Sequence, residues 1–415
     1  MTHRERIRNA INHKALDRIP IDFGGTNLTS ISMIAYSKLK KLLGINKKLP
    51  MMYDFLQQIA VVEEEIINRF KVDVINPAKP FLQSSIKWQE FTIPYDGTKC
   101  LIPEYIQDMV NIRMDNNQTI LISDKDGTVL GIMPKTSVHF RQTYWPYGNI
   151  KELPDNFNAN DINKTIWAVP FPPHNYDITN EENLKLIFEK IKNLHQTTDY
   201  AILYMIGGSV FLLPSSLRKF DDFLCDIYKN KKNVKKLLNY IVEKNLILIE
   251  KIINTIGGYI EALIFYDDLG YQKKSFIPKD IYKEIFKPAH KTMWDYIHEN
   301  SNCKIFLHAD GSIYELLPEL IDAGIDILNP VQTSASDMEP EKLKKEFGKY
   351  ITFWGGGCEP ETLAFKSRKD IKEEVKKRIE VLGKDGGFIF APILNITAEV
   401  PPENIVMMFE TASNY

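Results

Sequence analysis

The sequence predicts an α/β protein, a (β/α)₈ TIM barrel with an antiparallel β-hairpin insertion after its second strand. Three observations predict it: eight short apolar runs that end in turn residues, amphipathic stretches between them, and one long segment that breaks the alternation. Apolar strands joined by helices imply a parallel sheet covered on its outer face. Eight such units favour closure into a barrel, with an open doubly wound sheet as the alternative. No repeat of about 20 to 50 residues and no low-complexity linker divides the chain, so residues 1–415 read as a single domain.

The runs, in order, are RIPIDFGG (18–25), VDVINP (72–77), YAILYMIGG (200–208), EALIFYDDLG (261–270), CKIFLHADG (303–311), IDILNP (325–330), YITFWGGG (350–357) and GFIFAP (387–392). Between them, Ile281, Ile285, Phe286, Met293, Trp294 and Ile297 recur at helical spacing, and further helical patterns cover 342–347 and 369–382. From about 85 to 165 the rhythm changes. Asp96-Gly97 and Asp126-Gly127 stand between alternating runs, which signals hairpins. This stretch reads as an insertion near the barrel mouth or as a small separate domain.

With 44% apolar residues the chain can bury a large core, and 52 basic against 54 acidic side chains leave a net charge of −2. That balance gives no electrostatic reason to expect nucleic acid or an anionic membrane as partner, so a small-molecule substrate is expected. The charged start MTHRERIRNAINHKALDR lacks a secretory apolar stretch, and no run approaches the roughly 18 apolar residues of a membrane span. A cytoplasmic location is the expectation. Cys100, Cys225, Cys303 and Cys358 form no CxxC pair, so neither a disulfide framework nor a zinc knuckle is indicated.

In such a barrel the residues just past each strand converge on one pocket. These positions hold Asp22 and the loop GGTNLTS, then Tyr266, Asp267, Asp268 and Gln272, then His308 and Asp310, then Gly355 to Glu359, and finally Asn395 and Thr397. His308 and Asp310, one residue apart, share a face on an extended strand end and suit either a metal half-site or a general acid/base pair. Alternatively, Asp310 caps a helix starting near Ser312 and His308 fills a polar strand end. Of the adjacent Asp267 and Asp268, at most one faces the lumen. Cys358 and Glu359 offer further ligands, or Cys358 is a buried structural thiol. Tyr53, Asp54, Gln57 and Gln58 have the spacing of one helical face.

RERIRNAINHKALDRIPIDFGG, FYDDLGYQ, HADGSIYELLPELIDAGIDILNPVQ, FWGGG and PPENIVMMFE together resemble the uroporphyrinogen decarboxylase-like superfamily, particularly its corrinoid-linked methyltransferase branch. In the decarboxylases an arginine-rich amino-terminal loop holds the substrate carboxylates and an aspartate stabilises pyrrole cations. Here GGTNLTS has no arginine. The methyltransferase branch implies a zinc site built on His-x-Cys-Gly and a later Cys, whose metal activates a thiol. The matching positions are His308, Asp310 and Gly311, with the later cysteine falling at about Leu394. A site rebuilt from His308, Asp310 and Cys358 would take zinc or another divalent metal; loss of the metal is the alternative.

The resemblance implies methyl transfer between a methoxy, methylamine or betaine-type substrate, or a thiol or folate acceptor, and a corrinoid (cobalamin) carried by a separate protein, since no DxHxxG segment is present. His308, Asp310 and Asp267 are then the catalytic candidates. Tyr266, Gln272, Trp354, Glu359 and Asn395 are the substrate-binding ones, with Phe211 completing an apolar wall. The competing readings are a decarboxylase, with Asp267 or Asp310 stabilising a cationic intermediate, and a barrel that only binds. A homodimer is compatible with any of them.

Overall fold

A computed structural model describes residues 1–45, 47–82, 87–104, 106–107, 110–168 and 180–415. Thr2 and Glu5 form a reciprocal capping box that starts the helix His3–Ile11. This helix is pinned through Asp73, a fully buried carboxylate that receives Arg6, Arg18, the His3 ring and the Ile21 N–H.

The first two barrel positions are single bridges rather than full strands. Asp22 N–H donates to Phe390 (2.8 Å), Asp73 N–H to Ile21 (2.7 Å) and Ala201 N–H to Asp73 (3.0 Å). Pro20 has no N–H, and the chain turns at Gly24, so the first run has little length left to pair. Between these positions, β1 (Met52–Asp54) and β2 (Ile59–Ala60) pair antiparallel. The helical face expected across Tyr53 to Gln58 is therefore a hairpin, with Gln58 at φ +55°.

The insertion follows the second position as expected. β3 (Trp88–Thr92) pairs with β4 (Lys99–Pro103), and β5 (Asn111–Met114), β6 (Ile120–Ser123), β7 (Val129–Met133) and β8 (Arg141–Gln142) form an antiparallel meander. Its turns are those the sequence marks: Asp96 and Asp126 accept the N–H of Thr98 and Thr128, beside Gly97 and Gly127.

β9 (Leu203–Gly207), β10 (Ala262–Tyr266), β11 (Lys304–His308), β12 (Ile327–Asn329), β13 (Thr352–Trp354) and β14 (Phe388–Ile389) then run parallel in chain order. One bridge joins Ile21 to Phe390 at one edge of this sheet, another joins Val74 to Ala201 at the other edge, and the Asp73 N–H to Ile21 hydrogen bond links the two. Helices Lys287–Asn300, Pro340–Phe347 and Arg368–Leu382 cover the sheet. Alternate residues separate two cores: Leu203, Ala262, Ile264, Phe306, Ile327, Trp354 and Ile389 fill the interior, while Leu263, Phe265, Ile305 and Leu307 pack against the helices. Among the described residues no helix is long and apolar enough to cross a membrane.

Candidate active site

Tyr266, His308 and Asn329 stand in register across β10, β11 and β12, directly above the apolar interior. The Tyr266 and His308 rings stack with centroids 5.0 Å apart and planes 5° from parallel. Asn329 Nδ2 donates to the Trp354 carbonyl at 2.9 Å, which leaves its oxygen 2.6 Å from His308 Nδ1. A flipped amide would set two oxygens against each other, so Asn329 accepts and His308 Nδ1 carries the hydrogen. With the Nδ1 hydrogen held there, a neutral ring has its lone pair on Nε2, facing outward. Nε2 faces Asp310 Oδ1 at 3.7 Å and Asp268 Oδ1 at 4.0 Å, too far for a hydrogen bond to either.

The two aspartates meet because two glycines do. A Cβ on Gly311, at φ +84°, would fall 2.4 Å from the Gly270 carbonyl carbon, so only glycines let the loops after β10 and β11 lie this close. Ser312 N–H donates to Tyr271, Gly311 N–H to Gln332 Oε1, and Asp310 N–H to Asp268 Oδ1. Asp310 Oδ1 itself is buried and accepts from no described residue. It is not a helix cap: the helix of this unit is Leu317–Ala323, preceded by a 3₁₀ turn at Tyr314–Leu316. Burial pushes the Asp268 carboxyl above its ordinary range; His308 pulls it down and Asp310 adds to the rise. Burial, then Asp268 and Asp310, hold the Tyr266 phenol well above its usual value.

Asp267 lies on the other side of the wall, fully buried. It accepts from Ser209 Oγ, from the N–H groups of Val210, Phe211 and Leu212, and approaches His290 Nε2 at 3.2 Å. It caps the helix Leu212–Arg218, and Asp268 takes the place in the pocket expected of Asp267. Strand parity is the reason: Leu263, Phe265 and Asp267 share the outer face, and Ile264, Tyr266 and Asp268 the inner.

Trp354 is wholly buried below the mouth, donating Nε1–H to Asp22 at 2.9 Å. Asp22 also accepts from Gly25 N–H and Thr29 Oγ1, so the GGTNLTS loop folds around it, and burial raises its carboxyl to about 6. Cys358 packs in the outer core, where burial pushes its thiol up, and the one convergent group of metal-ligating side chains among the described residues is Asp268, His308 and Asp310. Glu359 is engaged by Thr333 and Arg378, and Phe211 packs outside the barrel among Phe223, Phe276 and Phe286. Gln272 is exposed. Asn395 joins Ser30, Asn27 and Gln57, and Gln57 binds the buried Asp54, so these residues knit together the loops of three elements. Asn329 and Gln332, which orient His308 and the Asp310 loop, were not among the expected site residues.

At the opposite end of the barrel a depression of about 740 Å³ includes Arg8, Glu261, His298 and Lys304 in its lining. Its charges are already paired, Arg8 with Glu261 and both His298 and Lys304 with Asp326.

Residues 163–415 match the family described as Uroporphyrinogen decarboxylase (URO-D), more than half of the chain, and the protein belongs to that family. A uroporphyrinogen decarboxylase from Rickettsia bellii (strain RML369-C) is 26% identical over 192 residues, 46% of this chain and 52% of that protein. The chain thus spans about half the length of this curated relative. A methyltransferase from Methanosarcina mazei shares the fold over 100% of this chain and 98% of its own, with a TM-score of 0.59 and 16% identity. A B12-independent methionine synthase from Shewanella sp. W3-18-1 superposes at a TM-score of 0.40, 10% identical, over 88% of this chain and 93% of that one.

Proposed function

We propose that the protein transfers a methyl group between a small methylated compound and the corrinoid of a separate carrier protein. The observation that carries this reading is the pairing of His308 Nε2 with Asp268 and Asp310 at a barrel mouth whose first loop, GGTNLTS, holds no arginine. A pocket of carboxylates without that cation suits a neutral or cationic methyl donor far better than an array of substrate carboxylates. The likeness in fold to a protein named as a methyltransferase supports the same reading.

When the carrier docks, the corrinoid supplies the nucleophile that accepts methyl. The chain's own residues then manage the heteroatom that methyl leaves. As the heteroatom–carbon bond breaks, the heteroatom keeps the electron pair and needs a proton unless it begins as a quaternary cation. Asp268 is the donor, because a carboxyl raised by burial keeps its proton closer to neutral pH than an exposed one. Tyr266 and His308, stacked, form one wall and fix the donor's approach. The thiolate zinc site of the methyltransferase branch does not fit these residues: Asp310 stands at one thiolate position, and Cys358 packs in the outer core.

The test is methylation of cob(I)alamin, or of a partner corrinoid protein, with a panel of methoxy, methylamine and betaine compounds, followed spectroscopically. Turnover that disappears in His308→Ala and Asp268→Asn supports the proposal. No methylation with any donor, together with carbon dioxide release from small carboxylic acids or a porphyrinogen, replaces it with the decarboxylase reading.

A further inference from the structure

We infer that Asp268, His308 and Asp310 form a sulfur-free binding site for one divalent transition-metal cation, with one imidazole nitrogen and two carboxylate oxygens as ligands. The inference does not rest on the methyl-transfer reading. It concerns what the three side chains bind with Asp268 as a carboxylate; an ion held there takes the place of the proton that the acid role gives Asp268, so the two are alternative states of the site.

Spacing is the first argument. The ligand atoms all lie within 4.8 Å of one another, with Nε2 3.7 Å from one carboxylate oxygen and 4.0 Å from the other. Those gaps are too wide for hydrogen bonds. They suit a shared ion, since ligands each about 2.0–2.2 Å from a metal stand roughly 3–4 Å apart. The second argument is the state of the groups. His308 is only 4% exposed and its Nε2 has no hydrogen-bond partner among the described residues, while Asp310 Oδ1 is a buried oxygen without a partner. An unpaired buried oxygen beside the unpaired ring nitrogen of a buried histidine marks a place for something that binds both.

Orientation is the third. A metal-binding histidine ordinarily donates its other ring N–H to a fixed acceptor, and Asn329, itself held by the Trp354 carbonyl, is that acceptor. Charge is the fourth. A neutral imidazole and two carboxylates carry the same −2 as an imidazole and two thiolates, so a divalent ion is equally well neutralised, while the replacement of sulfur by oxygen shifts preference towards harder ions. Asp268 and Asp310 have no Lys or Arg ion pair among the described residues, so no such cation already neutralises them.

The experiment is calorimetric titration of chelator-treated, metal-free protein with Mn²⁺, Zn²⁺ and Co²⁺, with thermal melts confirming that each variant is folded. Binding of one ion per chain is expected, weakened about 10-fold or more in Asp268→Asn and in Asp310→Asn and unchanged in Cys358→Ser. The Co²⁺ form should show no sulfur-to-cobalt charge-transfer band. Absence of saturable binding by the wild-type protein overturns the inference, as does undiminished binding by Asp268→Asn or a charge-transfer band that vanishes in Cys358→Ser. None of these readouts uses methyl transfer, so a metal site without the activity, or the activity without a metal site, is told apart directly.

Discussion

Asp267 and Asp268 are neighbours in the chain and serve opposite sides of the barrel wall. Asp267 draws one hydroxyl and three backbone N–H groups onto its carboxylate and approaches the His290 ring, whereas Asp268 faces His308 from within the pocket. Their substitutions should therefore separate stability from activity. Asp267→Ala strands several buried donors and is expected to cost about 3–5 kcal/mol in urea unfolding. Asp268→Asn should stay within about 1 kcal/mol of the parent while losing turnover. Equal stabilities for the two variants would refute this division of labour.

Burial of the Asp22 carboxyl should make the fold less stable as pH rises. Burial holds its carboxyl at about 6 in the folded chain, above the roughly 3.9 of an exposed aspartate, so the folded state binds this proton more tightly than the unfolded state. The resulting stabilisation is complete below about pH 4 and is lost as pH rises through 6. Two units correspond to about 3 kcal/mol. Asp22→Asn removes the titration, so the parent should lose up to that amount relative to the variant between pH 4 and 7. A difference in unfolding free energy that stays flat across this range contradicts the assignment.

Much of the barrel is legible in the sequence because strand and helix periods write themselves into apolar spacing. Apolar runs such as CKIFLH and EALIFY announce strands buried on both faces, and DG turns announce the hairpins of the insertion. The first two barrel positions are legible as the runs 18–25 and 72–77, but not their pairing through single bridges. At the site, His308 and Asp310 are found by their i, i+2 spacing alone. Asp268 is missed in favour of Asp267 because two adjacent acids look alike until strand parity is fixed by Tyr266. Asn329 and Gln332 act on neighbours about 21 residues away through single hydrogen bonds, and no local pattern encodes such a contact. Trp354 illustrates the reverse error: an aromatic at a strand end suggests a pocket wall, but a bulky side chain pointing inward fills the barrel instead.

Gly311 should tolerate no side chain. Its positive φ already disfavours an L-residue, and its added Cβ would press on the Gly270 backbone, which has no flexible end to yield. Gly97, at φ +80° with nothing within 4 Å of an added Cβ, isolates the conformational cost alone. Gly97→Ala is expected to cost about 1 kcal/mol, and Gly311→Ala clearly more, with loss of turnover as the Asp310 loop moves away from Asp268. Equal costs in chemical denaturation, with activity retained in Gly311→Ala, would remove the argument that close loop approach builds the site.

The Asn329 amide fixes which nitrogen of His308 carries hydrogen, and this is open to direct observation. In metal-free protein labelled with ¹⁵N-histidine, NMR above the pKa of the ring should show His308 with a protonated Nδ1 and a bare Nε2, since Asn329 Oδ1 at 2.6 Å only accepts. Asn329→Leu takes away that acceptor and also the donor to the Trp354 carbonyl. The ring should then populate both tautomers, and turnover should fall by about 10- to 100-fold, the usual consequence of removing the partner that orients a site histidine. A thermal melt separates this from unfolding. A wild-type spectrum with hydrogen on Nε2 would mean that the nitrogen facing Asp268 and Asp310 is a donor, and both the metal site and the orientation drawn for it would fall together.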